Sequence, residues 1–126
     1  MRVLIADDEK NIRRTVADYF ALEGIDCVEA ENGLSAQKTL SEEHVDGFVV
    51  DLRMPGMTGL ELLEWLRDGG REIPTIMISA YGDVQDAVEA MKTGAADYVT
   101  KPFDPDDLLI RLKRAVEDHR LRRLAS

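Results

Sequence analysis

Short apolar runs that alternate with helical stripes constrain the fold of this chain most strongly. The run 47–50 (GFVV) ends at Asp51, and two similar runs, 3–6 and 75–78, end at Asp7 and Ser79. Such runs are typical of strands whose two faces are covered by helices. The segments between them carry apolar residues at helical spacing, which predicts strand–helix units joined by right-handed crossovers into a parallel sheet. We therefore expect a doubly wound α/β fold of five strand–helix units, with residues 1–126 forming one domain.

Polar residues distinguish the second predicted strand, 26–30, from the others. Asp26 and Glu29 favour a place for it at the edge of the sheet. The remaining strands are predicted at 2–6, 46–50, 75–78 and 97–100.

The third and fourth predicted helices carry the clearest apolar patterns. Gly59 begins the third helix, and the spacing predicts that three leucines face the core: Leu60, Leu63 and Leu66. The spacing does not decide whether Leu62 and Trp65 face the core or the solvent. In the fourth, the residues at i, i+3, i+4 and i+7 are expected to face the core: Val84, Ala87, Val88 and Met91.

Capping residues mark where two helices begin. Asp83 is placed to cap the fourth helix, and Asp104 to cap the fifth. Pro105 then takes the first position of the fifth helix, where its missing N–H costs nothing.

Composition narrows the function classes. The formal net charge is −9, which argues against direct binding of nucleic acid, because phosphate affinity comes from clustered Lys and Arg. The single Cys27 is expected to be a small, buried hydrophobe. No apolar stretch approaches the roughly 18 residues that span a bilayer. We expect a cytoplasmic protein without membrane contact.

Chemically active side chains follow the predicted strands. If the strands are neighbours, Asp7, Asp8, Asp51, Ser79 and Lys101 meet at the carboxyl edge of the sheet, where ligands bind in such folds. Carboxylates about 4 Å apart repel one another by on the order of 4 kcal/mol at an effective dielectric near 20. Such a cluster requires a cation, and oxygen ligands favour Mg²⁺.

A carboxylate beside Mg²⁺, a lysine and a hydroxyl is suited to phosphoryl transfer, which depends mostly on positioning and charge neutralisation. The carboxylate itself can act as the nucleophile and become an acyl phosphate. His44 and His119 lie elsewhere in the sequence without ligand spacing and are expected at the surface.

Four motifs together resemble the receiver domain of two-component response regulators over essentially the full chain. They are Asp7-Asp8, residues 49–59 (VVDLRMPGMTG), Ser79-Ala80 and residues 101–103 (KPF). Residues 79–83 (SAYGD) and 94–98 (GAADY) are most similar to receivers of the nitrogen-regulation type, the sigma-54 activator subfamily. The resemblance implies a flavodoxin-like sheet in the order 2-1-3-4-5.

The resemblance also implies roles for the site residues. Asp51 would be the phosphoacceptor, and Lys101 would pair with it and then with the phosphoryl oxygens. Ser79, followed by Ala80, would move to the phosphoryl group, and Tyr98 would swing inward behind it. Magnesium would be held by three carboxylates and one backbone carbonyl, those of Asp7, Asp8, Asp51 and Arg53.

Further expectations follow from the same resemblance. The peptide between Lys101 and Pro102 would be cis. Arg53 and Tyr81, two residues after the phosphoacceptor and the switch hydroxyl, would line the approach to the phosphoryl group and set the dephosphorylation rate.

The implied function is a switch rather than an enzyme: a phosphoprotein of a two-component phosphorelay. The phosphoryl group would come from a sensor histidine kinase. The output, transcription regulation, would belong to a module that can lie in the same full-length chain. A homodimer could form through the face made by the fourth helix, fifth strand and fifth helix, or through the fifth helix alone.

Three other functions compete with this one. A Mg²⁺-dependent aspartyl-phosphate phosphohydrolase usually carries a second acid two residues after its nucleophile, where this chain has Arg53. A flavin or nucleotide module would need a glycine-rich loop after a strand, which is missing from the sequence. A pure interaction domain with a vestigial site fits poorly, because every chemical position is filled.

Overall fold

The computed structural model describes residues 1–125 and contains five strands and five helices in strict alternation. The strands are β1 Arg2–Ala6, β2 Asp26–Ala30, β3 Gly47–Asp51, β4 Thr75–Ser79 and β5 Asp97–Thr100. The helices are α1 Lys10–Leu22, α2 Gly33–Glu42, α3 Gly59–Asp68, α4 Val84–Thr93 and α5 Pro105–Ala125.

The sheet is fully parallel, with strand order β2-β1-β3-β4-β5. Its register aligns the carboxyl ends: Ala6 pairs with Val50, Asp51 with Ile78, and Ser79 with Thr100. The predicted doubly wound fold, its strand order and the edge position of β2 are therefore confirmed.

Helices cover both faces of the sheet and enclose two apolar clusters. One cluster joins α2, α3 and α4 to the sheet and contains Leu40, Leu62 and Phe48. The other lies under α1 and α5 and is built around Phe20 and Leu112. The central strands β3 and β4 are buried at every position, as their continuous apolar runs predict.

Two details of the predicted elements are corrected. The third strand was expected at 46–50 and lies one residue later, because Asp51 still pairs with Ile78 of β4. In α3, Leu63 and Leu66 are buried as expected, but Leu60 is only half-buried and Leu62 is completely buried. Leu62 is buried as well because α3 shares one apolar cluster with the sheet and also contacts α4.

The expected inward stripe of α4 is wrong for three of its four residues. Ala87 is buried, together with Ala90, whereas the larger side chains are exposed, namely Val84, Val88 and Met91. The two alanines let α4 lie close to its neighbours, so its bulky apolar side chains point outward. Periodicity located a stripe but not the side of the helix that faces the core.

The two capping predictions have different outcomes. Asp104 accepts a hydrogen bond from the backbone N–H of Asp106 at 2.9 Å, and Pro105 begins α5. Asp83 stands at the N-cap of α4, but its side chain makes no capping hydrogen bond. Its carboxylate is instead bound by Arg53.

Two other expectations concern the surface. Cys27 was expected to be buried but is only half-buried, and it packs against the apolar cluster under α1 and α5. Across residues 1–125, no helix combines the length and apolar content that crossing a bilayer requires.

Candidate phosphoryl-transfer site

The carboxyl edge of the sheet brings three aspartates together. Asp51 ends β3, and Asp7 and Asp8 follow β1, so the pairing of β1 with β3 makes them neighbours. One carboxylate oxygen from each lies within 4.8 Å of the others. Asp7 and Asp51 are buried and Asp8 is exposed, which leaves the cluster open to solvent on one side.

Lys101, which follows β5, supplies positive charge to this cluster. Its Nζ lies 3.0 Å from Asp51 Oδ2, 2.9 Å from Glu9 Oε1 and 3.4 Å from Asp7 Oδ2. Burial acts to lower the pKa of Lys101, but hydrogen bonds to Glu9 and Asp51 outweigh it and raise that pKa above its ordinary value. The ammonium group is therefore charged at neutral pH.

One lysine does not satisfy all of the negative charge. Burial, helped by the charge of Asp51, raises the pKa of Asp7 to about 6, although the Glu9 backbone N–H and Lys101 act in the opposite direction. Asp7 Oδ2 is buried and accepts no hydrogen bond from any described residue. This oxygen has only the 3.4 Å ion pair with Lys101, a cation that Asp51 and Glu9 share. A buried carboxylate oxygen without a hydrogen bond, beside two more carboxylates, is a donor set that fits a hard divalent cation such as Mg²⁺.

Ser79 and Tyr98 lie on the neighbouring strands. The Ser79 hydroxyl is buried and donates a long hydrogen bond of 3.4 Å to the Val99 carbonyl oxygen. Ala80 follows it directly as an exposed residue. The Tyr98 side chain is 38% exposed, so its ring lies at the surface in this structure. The Lys101–Pro102 peptide is cis, as the resemblance implies.

The side chains of Arg53 and Tyr81, which were expected to line the site, are largely exposed to solvent. Tyr81 is 92% exposed. The Arg53 backbone N–H donates to Asp51 Oδ1 at 3.3 Å, but its guanidinium group reaches across to Asp83 and Asp86 at the start of α4.

Sequence reasoning missed three residues that support the site. Arg13 is buried, and its Nη1 donates to the Asp7 carbonyl oxygen at 2.8 Å while its Nε binds Glu29. Glu9 shares Lys101 with Asp51. A Cβ at Gly59 would meet the Asp51 carbonyl oxygen at 2.5 Å, so only glycine lets α3 begin this close to the end of β3. Of the three, Arg13 gives no signal in the sequence, whereas Glu9 extends the Asp7-Asp8 pair and Gly59 ends the motif 49–59.

Comparison with known proteins agrees with this geometry. The family model of the response regulator receiver domain matches residues 3–113. The chain belongs to the response regulator receiver domain family.

Similar proteins include regulatory proteins that are several times longer than this chain. It is 42% identical over 116 residues to the regulatory protein AtoC of Escherichia coli, covering 92% of this chain and 25% of AtoC. It is 42% identical over 123 residues to a putative NtrX-like response regulator of Rickettsia bellii, covering 96% of this chain and 26% of that protein. The chain thus spans about a quarter of the length of these relatives.

A solved structure supports the same family. The receiver domain of the Francisella response regulator 1452 aligns with a TM-score of 0.88 and 35% identity, covering 94% of this chain and 98% of that one. The sheet order and helix placement of this receiver domain are therefore those of an experimentally known relative.

Proposed function

We propose that this receiver domain is a phosphorylation-activated switch in a two-component phosphorelay, with Asp51 as the phosphoacceptor. The observation that carries the proposal is the placement of the Asp51 carboxylate 3.0 Å from Lys101 and within 4.8 Å of the Asp7 and Asp8 oxygens. A nucleophile at this position has a fixed cation on one side and carboxylates for a metal on the other.

In the proposed transfer, a carboxylate oxygen of Asp51 attacks the phosphorus of a phosphohistidine. The new O–P bond forms as the N–P bond breaks, and the imidazole nitrogen keeps the electron pair and takes a proton. Lys101 neutralises charge on the transferred oxygens, and the Ser79 hydroxyl can donate to them once its long bond to Val99 is released. The product is an acyl phosphate.

The metal in this proposal is Mg²⁺, held by Asp8, by Asp7 mostly through water, by Asp51 and by the backbone carbonyl of Arg53. When bound, it would neutralise carboxylate charge and phosphoryl oxygens. Asp7 Oδ2 supports an ion here, because it is buried, accepts no hydrogen bond and has only the shared Lys101 ammonium at 3.4 Å as a partner.

Phosphorylation of Asp51 would change the surface formed by α4, β5 and α5 because it adds negative charge to the site. A phosphoryl group adds roughly −1.5 to −2 of charge. Ser79 and Lys101 can bind its oxygens only if their side chains move. Tyr98, exposed on β5 next to the strand that carries Ser79, would swing inward to fill the space behind Ser79. Reversing a 1:99 equilibrium needs about 5.5 kcal/mol, which a few charge-assisted hydrogen bonds and a metal can supply.

The exposed apolar side chains of α4 support an output surface on α4, β5 and α5. Val84, Val88, Met91 and Tyr98 are all exposed, and contiguous exposed apolar residues commonly mark interaction sites. This face would bind an output module of the same full-length protein, a downstream partner or a second copy of the domain.

The similarity to AtoC and to NtrX-like response regulators supports a proposal for the phosphodonor, the output and the compartment. The phosphodonor is a sensor histidine kinase, the output is transcription regulation of the nitrogen-regulation, sigma-54 activator type, and the compartment is the cytoplasm. With a net charge of −9, the domain itself would not bind nucleic acid. Catalytic turnover as a phosphohydrolase is disfavoured, because Arg53 occupies the position of the second acid and its guanidinium is paired with Asp83 and Asp86.

Substituting the phosphoacceptor tests the assignment. Asp51→Asn removes the nucleophilic carboxylate, so we expect no phosphoryl gain in the intact mass after treatment with acetyl phosphate and Mg²⁺. Asp68→Asn, at an exposed aspartate at the end of α3, is the matched control and should be labelled like the unsubstituted protein. An Asp51→Asn protein that still gains the phosphoryl mass as an acyl phosphate would overturn the assignment.

A further inference from the structure

The guanidinium group of Arg53 ties the loop after β3 to the first turn of α4. Its Nε donates to Asp83 Oδ2 at 3.0 Å, and its Nη2 donates to Asp83 Oδ1 at 3.0 Å and to Asp86 Oδ2 at 2.7 Å. Two parallel hydrogen bonds to one carboxylate are the strongest and most directional pairing that arginine makes with an acid.

This pairing explains why Asp83 does not cap α4. The residue stands at the N-cap with φ −88° and ψ 38°, outside the extended conformation that a capping residue usually takes. Its side chain is only 17% exposed and accepts its hydrogen bonds from Arg53. The hydrogen bond from Arg53 also holds the pKa of Asp83 below its usual range. The first N–H groups of α4 therefore lack the acceptor that Asp83 could offer them.

Arg53 also lies next to the phosphoacceptor. Its backbone N–H donates to Asp51 Oδ1 at 3.3 Å, and only Leu52 separates the two residues. A phosphoryl group on Asp51 would present oxygens to which a guanidinium binds in the same two-pronged way as to a carboxylate. The exposed Arg53 side chain would then have two competing anionic partners.

We propose that Arg53 is a positioning residue that changes partner when Asp51 is phosphorylated. In the unmodified protein its guanidinium group binds Asp83 and Asp86 in the first turn of α4, and we call this pair of contacts the latch. In the phosphorylated protein it turns to the phosphoryl oxygens, and Asp83 is released to cap α4. The backbone at Asp83 must rotate to do so, and this moves the start of the helix. The proposal rests on the proposed function and adds a route from Asp51 to α4 separate from Ser79 and Tyr98.

Thermodynamic linkage predicts the direction in which a change at Asp83 should alter binding at Asp51. If Asp83 and the phosphoryl group compete for Arg53, weakening the latch must favour the phosphorylated state. Beryllofluoride with Mg²⁺ is the probe, because it imitates a phosphoryl group on a carboxylate without turnover. We expect Asp83→Asn to tighten beryllofluoride binding by roughly fivefold, the effect of one exposed but well-formed ion pair.

A double-mutant cycle separates the latch from a simple structural role of Asp83. Arg53→Gln keeps the backbone carbonyl proposed for the metal but removes the guanidinium. In the Arg53→Gln background, Asp83→Asn should no longer change beryllofluoride affinity. Asp68→Asn, which breaks the exposed Arg67–Asp68 pair, is the matched control and should have no effect in either background.

The outcomes are distinct. Tighter binding that depends on Arg53 supports the change of partner. An equal effect of Asp83→Asn in both backgrounds, or none in either, overturns the latch while leaving the proposed function intact. A domain that binds no beryllofluoride in any variant overturns the proposed function and the change of partner together.

Discussion

At the residue scale, the charge balance of the site depends on a single ammonium group shared by several acids. Lys101 contacts Asp51, Glu9 and Asp7 at once, and its charge is spread over more negative groups than it can neutralise. A cation among the three aspartates would take over part of this role. Lys101 would then be free to pair with the oxygens of a phosphoryl group on Asp51, as we propose.

Cys27 gives a test of how closely the edge strand is packed. Burial, aided by the charges of Asp26 and Glu29, raises the pKa of its thiol from 9.0 to about 11. The thiolate is the reactive form, so at any pH well below 9 its fraction should be about 100-fold lower than for an ordinary thiol. Alkylation by iodoacetamide, followed from pH 7 to 11, should be correspondingly slow in the folded protein and fast in urea. A folded-state midpoint near pH 9 would contradict this packing.

Gly59 gives a second test, at the contact between α3 and the backbone of Asp51. Gly59→Ala forces a Cβ to within 2.5 Å of the Asp51 carbonyl oxygen, and overpacking of this kind costs about 1–3 kcal/mol of unfolding free energy. Gly69→Ala is the control, because its Cβ would lie 3.4 Å from its nearest neighbour with φ at −83°. Urea denaturation should show a clear loss for the first variant and little change for the second. Equal midpoints would mean that α3 does not begin this close to Asp51.

The sequence predicts the chemistry-bearing residues better than their supports. Asp7, Asp8, Asp51 and Lys101 are visible because each follows an apolar run whose strand neighbours can be inferred. The buried Arg13 has no such signal, because a cation within an amphipathic helix normally faces solvent. The Arg53–Asp83 pair joins residues 30 positions apart, and no local pattern indicates it.

At the element scale, α4 differs most from expectation. Its buried face consists of Ala87 and Ala90, and its larger apolar side chains lie outside. Hydrophobic spacing identifies a stripe but gives small and large side chains equal weight, whereas packing close to a sheet favours the small ones. The five strands lie within one residue of their predicted bounds, because each pairs with a neighbouring strand along nearly its whole length.

The orientation of α4 can be tested with one substitution at two positions. Met91 is 41% exposed and Met77 in β4 is fully buried. Met91→Gln should change the free energy of unfolding by no more than about 0.5 kcal/mol. Met77→Gln buries an unpaired amide and should cost about 1–3 kcal/mol or more. Similar losses in urea denaturation would place Met91 in the core and remove the proposed output surface.

At the scale of the whole molecule, topology brings the site together. Residues from the ends of β1, β3, β4 and β5 are far apart in sequence, and the strand order β2-β1-β3-β4-β5 places them along one edge. Alternation of strands and helices makes that order predictable, because right-handed crossovers leave few alternatives. The extent of the switch motion is not predictable in this way, since it depends on contacts such as those of Ser79 and Arg53.

The most direct test of the account is the intact mass and peptide map of the unsubstituted protein after exposure to acetyl phosphate, with Mg²⁺ or with a chelator. We expect the gain of one phosphoryl group, located on the peptide that contains Asp51, in the presence of Mg²⁺ and little gain without it. No gain under donor excess, an equal gain without metal, or a phosphoryl group on another residue would contradict it.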